Sequence, residues 1–319
     1  MAGQVWQTTA EGGALANPRL SKKLRHAAQP MMRFRSHTRV EPGFGKSQGD
    51  TLDFDKVSNI QTGGGRIAET AKTPESKFLV KKSSLTIDKY GNSIPYTGKL
   101  ELLSEFNINN PIQKALRDDM AKVLDNLVAT EMKTTEIKYA PQGPTSGAWA
   151  TNGTPGTATS QISVFHIKEI VDGMKRGNFG GTASRPVPFY EDGSYVCIAS
   201  VTALRSIKDD PEWEEWHKYT NPDGRYNNEV GKYYGVRFIE TNYETSLSAS
   251  IGANSIGEAI FLGDDTIIEG VVLPEEVRVK VPDDYGWAKG VAWFFLGGFK
   301  RVWDFAADGE QRIVHVTSA

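Results

Sequence analysis

Alternating apolar and polar positions predict strands in the first third of the chain. Residues 51–57 place Leu52 and Phe54 between aspartates, which is the period of a half-buried strand. Residues 78–103 are rich in β-forming side chains and hold several lysines. In this stretch we predict strands at 78–80, 84–87 and 99–103 and a turn at 90–93. This pattern indicates a protruding β-arm whose edges need a covering partner.

The clearest helix signal begins at Pro111. Asn110 suits the N-cap and Pro111 the first helical position. Apolar side chains recur at spacings of three and four and form one stripe: Ile112, Leu116, Met120, Val123, Leu127 and Val128. The opposite face is predicted to be polar: Lys114, Arg117, Asp118, Lys122 and Asp125. A helix that runs to about Thr134 would be roughly 36 Å long.

Shorter elements are predicted in the remainder of the chain. We expect helices at 164–174, 201–207 and 211–219, and strands at 195–199, 234–241, 258–262, 277–281, 290–295 and 313–316. A helix within 287–305 is an alternative to the strand there. Residues 141–160 are rich in Pro, Gly, Thr and Ser, which predicts a linker or surface loop.

Composition is that of a folded chain. With 319 residues, 39% hydrophobic and 24% charged, it can bury a core of about two domains. The longest apolar run, 290–299, is far shorter than the roughly 18 residues that a bilayer requires. The single cysteine, Cys197, excludes an internal disulfide and lies in an apolar run, so we predict an inert core thiol.

Charge is concentrated near the N-terminus. Residues 1–46 hold eight basic and two acidic side chains, a net +6, which leaves −8 for the rest of a chain whose net charge is −2. The segment is predicted to be an extended arm, either solvated or laid across an acidic neighbour. A nucleic-acid tail is a third reading, which the scarcity of stacking aromatic residues disfavours.

Candidate catalytic groups are few. Residues 209–217 combine five carboxylates with two tryptophans, a composition that a glycosidase could use for catalysis. Such a run is more often the solvated face of a helix. The three glycines at 63–65 lack the Gly-Lys-Ser/Thr of a phosphate loop, and the five histidines are scattered. We therefore predict no catalytic residue, cofactor or metal site.

Several segments in order resemble one family. They are the run Leu-Thr-Ile-Asp-Lys-Tyr-Gly-Asn at 85–92, the long helix from Pro111, and Gly-Val-Arg-Phe-Ile-Glu-Thr at 235–241. The closing segments at 263–265, 286–287, 292–294 and 313–316 extend the similarity, which runs from about residue 45 to the C-terminus. Together they resemble the major capsid proteins of tailed phages, those of the podovirus N-four type above all.

The resemblance implies an α+β fold, the tailed-phage major capsid fold. Its parts would be an N-terminal arm (1–50), an extended β loop that reaches over a neighbouring subunit (51–107), a peripheral domain with the long spine helix (108–180 and 271–319) and an axial domain (181–270).

The function implied is a structural one, without catalysis. Copies of the chain would form hexamers and pentamers of an icosahedral virion shell, assembled in the host cytoplasm. The shell would enclose double-stranded DNA without sequence-specific binding and without a membrane. Scaffolding, portal and decoration proteins would be further partners. The alternatives are an encapsulin-like nanocompartment shell and a glycoside hydrolase that uses Glu212, Glu214 or Glu215.

Contacts between subunits are assigned to basic side chains of the arm and loop and to one tyrosine. These residues are Arg25, Arg33, Arg35, Arg39, Arg66, Lys81, Lys82 and Tyr90.

Overall fold

The fold is described from a computed structural model of the 319-residue chain. The structure describes residues 32–41, 49–57, 64–75, 78, 80–103, 109–190, 193–218, 229–243, 247–251, 254–281, 285 and 287–318. Within these residues, no helix is long and apolar enough to cross a membrane.

The larger of two main sheets has eight strands. In chain order they are β5 (Lys138–Gly143), β6 (Ser146–Ala150), β9 (Tyr195–Ser200), β10 (Glu229–Tyr233), β11 (Val236–Thr241), β12 (Ser248–Ile251), β13 (Asn254–Leu262) and β16 (Ile313–Ser318). Their order in space is β10-β11-β9-β13-β16-β5-β6, with β12 paired to β13. The pairs β11–β9 and β16–β5 are parallel, and the other pairs are antiparallel.

Strand β9 is buried on both faces because every position from Tyr195 to Ser200 is covered. Tyr195, Cys197 and Ala199 lie on one face of β9, which packs against helices α3 (Val164–Arg176) and α4 (Val201–Lys208). The intervening Val196 and Ile198 face the other side. The predicted strand at 195–199 and the predicted helices at 164–174 and 201–207 are thus confirmed.

The smaller sheet has four strands in the order β1-β14-β15-β4. Its strands are β1 (Arg39–Glu41), β4 (Asp88–Thr97), β14 (Ile267–Val279) and β15 (Ala288–Arg301). The segment 287–305 is therefore mostly strand, and the alternative of a helix there is wrong. A single short helix, α6 (Phe305–Asp308), follows β15.

Helix α2 (Asn109–Lys133) packs against both sheets. Its stretch from residue 112 to residue 124 buries Ile112, Leu116 and Leu124 against the smaller sheet, where Val291, Trp293 and Phe295 line the facing side of β15. Its second half buries Val128, Ala129 and Met132 against the larger sheet. The helix begins one residue before the predicted cap, so Pro111 lies in its first turn, where the missing amide is tolerated.

The predicted polar face of α2 contains one error. Asp125 is only 1% exposed, and its carboxylate accepts the backbone N–H groups of Arg33 (3.2 Å), Phe34 (2.8 Å) and Arg35 (3.0 Å). Burial raises the pKa of the Asp125 carboxyl, although the three amide donors favour its charged form. The carboxylate thereby fixes the chain segment that precedes β1 to the middle of the helix.

Three further predictions are wrong. Residues 90–93 lie within strand β4, and no turn forms there because β4 pairs with β15 from Asp88 to Thr97. Residues 99–103 form helix α1 (Gly98–Leu103) instead of a strand. The predicted loop at 141–160 begins as the hairpin of β5 and β6, in which Tyr139 and Trp149 pair.

The remaining elements complete the fold. They are a two-stranded ribbon of β2 (Thr51–Val57) and β3 (Val80–Thr86), the short strands β7 (Asn178–Phe179) and β8 (Thr182–Ala183), and helix α5 (Pro211–Lys218). The prediction of a strand at 51–57 is confirmed.

Replacing Asp125 by alanine should destabilise the protein. The substitution leaves one buried and two partly buried amide donors without their acceptor, so we expect the free energy of unfolding to fall by about 3 kcal/mol. Lys114→Ala, at an exposed position of the same helix, should change it by less than about 0.5 kcal/mol. Chemical denaturation measures both. Equal losses in the two variants would show that the carboxylate does not anchor the segment.

Candidate assembly surface

The predicted contact residues of the N-terminal segment lie beside α2 and β14. Arg35 binds Glu269 (2.7 Å) and Glu275 with its guanidinium, which also lies 5.6 Å from the ring centre of Phe295. Arg39 is more exposed and reaches Asp265 at 3.5 Å. Arg33 is half-buried at the Asp125 anchor, and Arg25 lies outside the described residues.

Tyr90 lies in the same region as Arg35. Its ring stacks on Phe295 at 6.2 Å between centres, in the cluster that faces α2. Burial is the main cause of a raised pKa of its phenol, and Asp88 adds to it. Tyr90 and Arg35 thus meet around one core phenylalanine, and within the chain both are engaged.

The β2–β3 ribbon has an inner and an outer face. On the inner face, Leu52, Phe54 and Leu85 pack against Ile268 and Val302. The ribbon approaches the smaller sheet so closely that a Cβ on Gly298 would lie 2.3 Å from the carbonyl oxygen of Thr86. A side chain at that position would push the ribbon base away.

A buried ion pair also holds the ribbon. The side chain of Lys56 is 5% exposed and binds Asp308, whose side chain is 3% exposed. Lys81 binds the carbonyl of Ala307 and lies 3.9 Å from the Asp308 carboxylate. Breaking a buried pair leaves a desolvated charge, so this contact resists separation of the ribbon from α6.

The outer face of the ribbon is formed by exposed positions of β2 and β3. Asp53 and Asp55 lie there, with Lys82 directly across from Asp55. Val57 and Val80 face each other at its far end and are both more than half exposed. Arg66, in the irregular stretch between the two strands, is exposed as well.

An apolar rim at one end of the smaller sheet was not predicted. It is formed where β4 leads into α1, where β14 ends and where β15 begins. Its exposed residues are Leu100, Leu102, Val277, Val279, Val281, Tyr285 and Trp287. The carbonyl of Trp287 accepts the Gly98 amide, and Lys289 binds Glu101 at 2.7 Å, which places α1 beside the hairpin. Alternation at 277–281 indicated a strand, but not that its valines would be exposed.

A cationic hollow lies on the face of the smaller sheet opposite α2. It has a volume of about 290 Å³, and Arg278, Lys280 and Phe294 line it above small residues of β4 and β15. An adjoining hollow of about 150 Å³ adds Lys89. Lys89 lies over the Phe294 ring at 4.9 Å. The face can accept acidic and apolar groups side by side.

The acidic run at 209–217 is part of the scaffold. Glu212 binds Lys168 and accepts the Tyr233 hydroxyl at 2.8 Å; these bonds, Lys168 first, lower the pKa of its carboxyl. A general acid needs the opposite shift. Asp210 accepts the amide of Glu212 at 3.0 Å, and Trp213 is buried.

Two other predictions about chemistry concern Cys197 and metal ions. Burial raises the pKa of the Cys197 thiol well above its usual value, as expected for an inert core residue. Within the described ranges, no group of three His, Cys, Asp or Glu residues is arranged to hold a metal ion.

Similarity to known proteins is found in the fold and not in the amino-acid sequence. No family model matches the chain, and no curated protein matches its sequence. Solved structures do match it. The capsid of Ralstonia phage GP4 has a TM-score of 0.71 at 16% identity, covering 98% of this chain and 97% of that chain. The acidic stable capsid structure of Helicobacter pylori bacteriophage KHP30 has a TM-score of 0.71 at 11% identity, covering 95% of both chains.

A third structure extends the similarity to the full length. The Cyanophage Pam1 capsid asymmetric unit has a TM-score of 0.70 at 14% identity and covers 100% of this chain and 99% of that chain. The chain therefore has the mixed helix-and-sheet fold of tailed-phage capsid proteins.

Proposed function

We propose that this protein is the major capsid protein of a tailed phage and that its copies form an icosahedral shell around double-stranded DNA. One observation carries the proposal: the similarity to phage capsid proteins covers at least 95% of both chains in three structures. A shared domain would match in part, whereas this match leaves little chain for another activity. The protein would then be a structural component of the virion.

Finer assignments belong to the same proposal. We assign the chain to the podovirus N-four type, with an arm (1–50), an extended loop (51–107), a peripheral domain (108–180 and 271–319) and an axial domain (181–270). The boundary between the last two passes through the larger sheet, since β13 pairs with β16 and β16 with β5. Scaffolding, portal and decoration proteins and assembly in the host cytoplasm complete the proposal.

Self-association gives the apolar rim a role. Leu102 is 76% exposed, Val281 83% and Tyr285 fully exposed, although large apolar side chains usually gain by burial. Contiguous apolar patches on a protein surface mark contact sites. We assign the rim to contacts between copies of this chain.

Charge complementarity suggests a second contact. The outer face of the ribbon presents Asp53 and Asp55 beside Lys82, a net charge of −1, and the hollow presents Lys89, Lys280 and Arg278, the last of them paired with Glu276. A two-stranded ribbon is marginal alone and is stabilised by a covered face. We assign the outer face of the ribbon to the hollow of a neighbouring copy. Two different patches then meet, which builds rings instead of closed dimers.

The purified protein should form rings or shells visible by electron microscopy. Val281→Asp or Leu102→Asp should abolish them, because a carboxylate cannot be buried without a partner in an apolar contact. The matched control is Val201→Asp, which places the same charge at an exposed valine of α4 outside the rim. Both rim variants should remain folded by circular dichroism.

Absence of rings and shells from the unmodified protein under all assembly conditions would overturn the proposed function. Shells that hold cargo enzyme instead of DNA would favour a nanocompartment. Assembly of the rim variants at the level of Val201→Asp would remove the rim from the contact while leaving the shell function in place.

The ribbon contact can be tested by reversing its charges. Asp53→Lys with Asp55→Lys should reduce assembly strongly, since like charges would face each other. Arg278→Glu with Lys280→Glu should do the same. A variant with all four substitutions should assemble again, because a basic ribbon face then meets an acidic hollow. Light scattering follows assembly, and Glu75→Lys, at an exposed acidic residue outside the ribbon strands, is the control.

If the variant with all four substitutions is folded but does not assemble, these two surfaces do not meet.

A further inference from the structure

A buried charged cluster joins the end of α2 to the larger sheet. Glu258 of β13, His315 of β16 and Lys138 of β5 are each at most 5% exposed. Lys133, in the last turn of α2, completes the cluster and binds the Glu258 carboxylate. Three buried groups from three strands therefore meet, and the partly exposed Lys133 covers them from the end of α2.

The contacts specify the protonation of His315. Lys138 Nζ lies 3.2 Å from His315 Nδ1, and His315 Nε2 lies 2.9 Å from Glu258 Oε1. An ammonium group can only donate, so Nδ1 must accept and the ring proton must be on Nε2, which donates to Glu258. The cluster is completely bonded only while the imidazole is neutral.

The same cluster closes the C-terminus of α2. Lys138 donates to the carbonyl of Lys133, and Arg301 donates to that of Thr134 at 2.6 Å. Thr135 then donates its hydroxyl to the carbonyl of Ile313 at 2.7 Å. Cations at a helix C-terminus satisfy its free carbonyls and oppose its dipole. Hence Lys138 connects the state of His315 to the end of the helix.

We propose that this cluster is an acid-sensitive lock: protonation of His315 on Nδ1 removes the acceptor of Lys138, sets two cations side by side and frees the last turn of α2 from the larger sheet. The inference concerns the fold of one chain and does not rest on the proposed function.

Charges around the ring determine the direction of the effect. Burial is the main cause of a lowered pKa of His315, Lys138 and Lys133 lower it further, and Glu258 opposes them. Arg301 faces Lys138, whose pKa burial lowers to about 8. Three cations thus face one carboxylate, and a fourth positive charge is disfavoured.

A histidine whose pKa is lower in the folded state stabilises fully above its unfolded value of 6.5, and by linkage this stability is lost as pH falls below it. Lys138, whose pKa is about 8, is half protonated at that pH and takes up roughly the last quarter of its proton below pH 7.5. The pKa of Glu258 is lowered from 4.5, because its bonds to His315 and Lys133 outweigh burial, so Glu258 stays charged down to that pH. The window from pH 7.5 to 5.5 therefore reports mainly on histidines, and a Lys138→Gln variant measures the contribution of the lysine.

His37 titrates in the same direction and must be separated. Burial, with help from Arg237 and Arg33, lowers its pKa to about 4. Phe34 of the same segment packs against Val128 and Met132, so an effect of His37 would reach the same peptides, and the variants at His315 and Lys138 separate the two histidines instead.

Hydrogen exchange with mass spectrometry on the full chain tests the lock. After correction for intrinsic exchange rates, protection of residues 128–135 should fall by up to about tenfold between pH 7.5 and 5.5, since pH 5.5 lies one unit below the unfolded pKa of 6.5 and one unit is a tenfold change in equilibrium. Protection of β4, which holds no histidine, should not change. His315→Gln keeps an acceptor and a donor without titrating, so it should abolish the fall.

A second variant keeps the test decisive if His315→Gln does not fold. Lys138→Gln retains a donor toward Nδ1 without the charge and should reduce the fall, whereas His166→Gln, outside the cluster, should leave it as in the unmodified chain. The proposal is overturned if protection of 128–135 is the same at both pH values, or if the variants at 315 and 138 respond to acid as the unmodified chain does.

Discussion

The burial of one helix against two different sheets organises this molecule. The stretch of α2 up to Leu124 covers the smaller sheet through Leu116 and Leu124, and the last turns cover the larger sheet through Val128 and Met132. Each sheet would otherwise expose an apolar face, so neither can be stable without the helix. The 25-residue length of α2 follows from this double task. Polar contacts then fix its position, as when Asp119 accepts the indole N–H of Trp293 at 3.0 Å.

Charges at the edges of this frame serve two purposes. Some are buried in pairs, such as Lys56 with Asp308, and hold the ribbon against the body. Others, such as Asp53 and Arg278, remain at the surface, where they can select a neighbour without changing the fold. The near-neutral net charge of −2 conceals this division, since a basic N-terminal segment balances an acidic remainder.

The period of the apolar residues is sufficient to predict an element wherever burial alone determines its structure. The stripe of α2 and the apolar run of β9 were predicted because their side chains repeat with the period of the element. Asp125 was assigned to the polar face because its partners are backbone amides about 90 residues away, which no local pattern records. Helix α1 was mistaken for a strand because a run of leucines suits either structure. The rim was missed because alternation at 277–281 identifies two faces without saying which one is covered.

The anchor at Asp125 depends on the backbone of the N-terminal segment and not on the identity of its side chains. Because the carboxylate holds the amides of residues 33–35 and not their side chains, Arg33 could change without loss of the anchor. A proline at any of these three positions would instead remove a donor. The attachment through Asp125 therefore depends on one helix residue and on the backbone of another segment, whereas the buried side chain of Phe34 and the ion pairs of Arg35 fix the identity of those two residues.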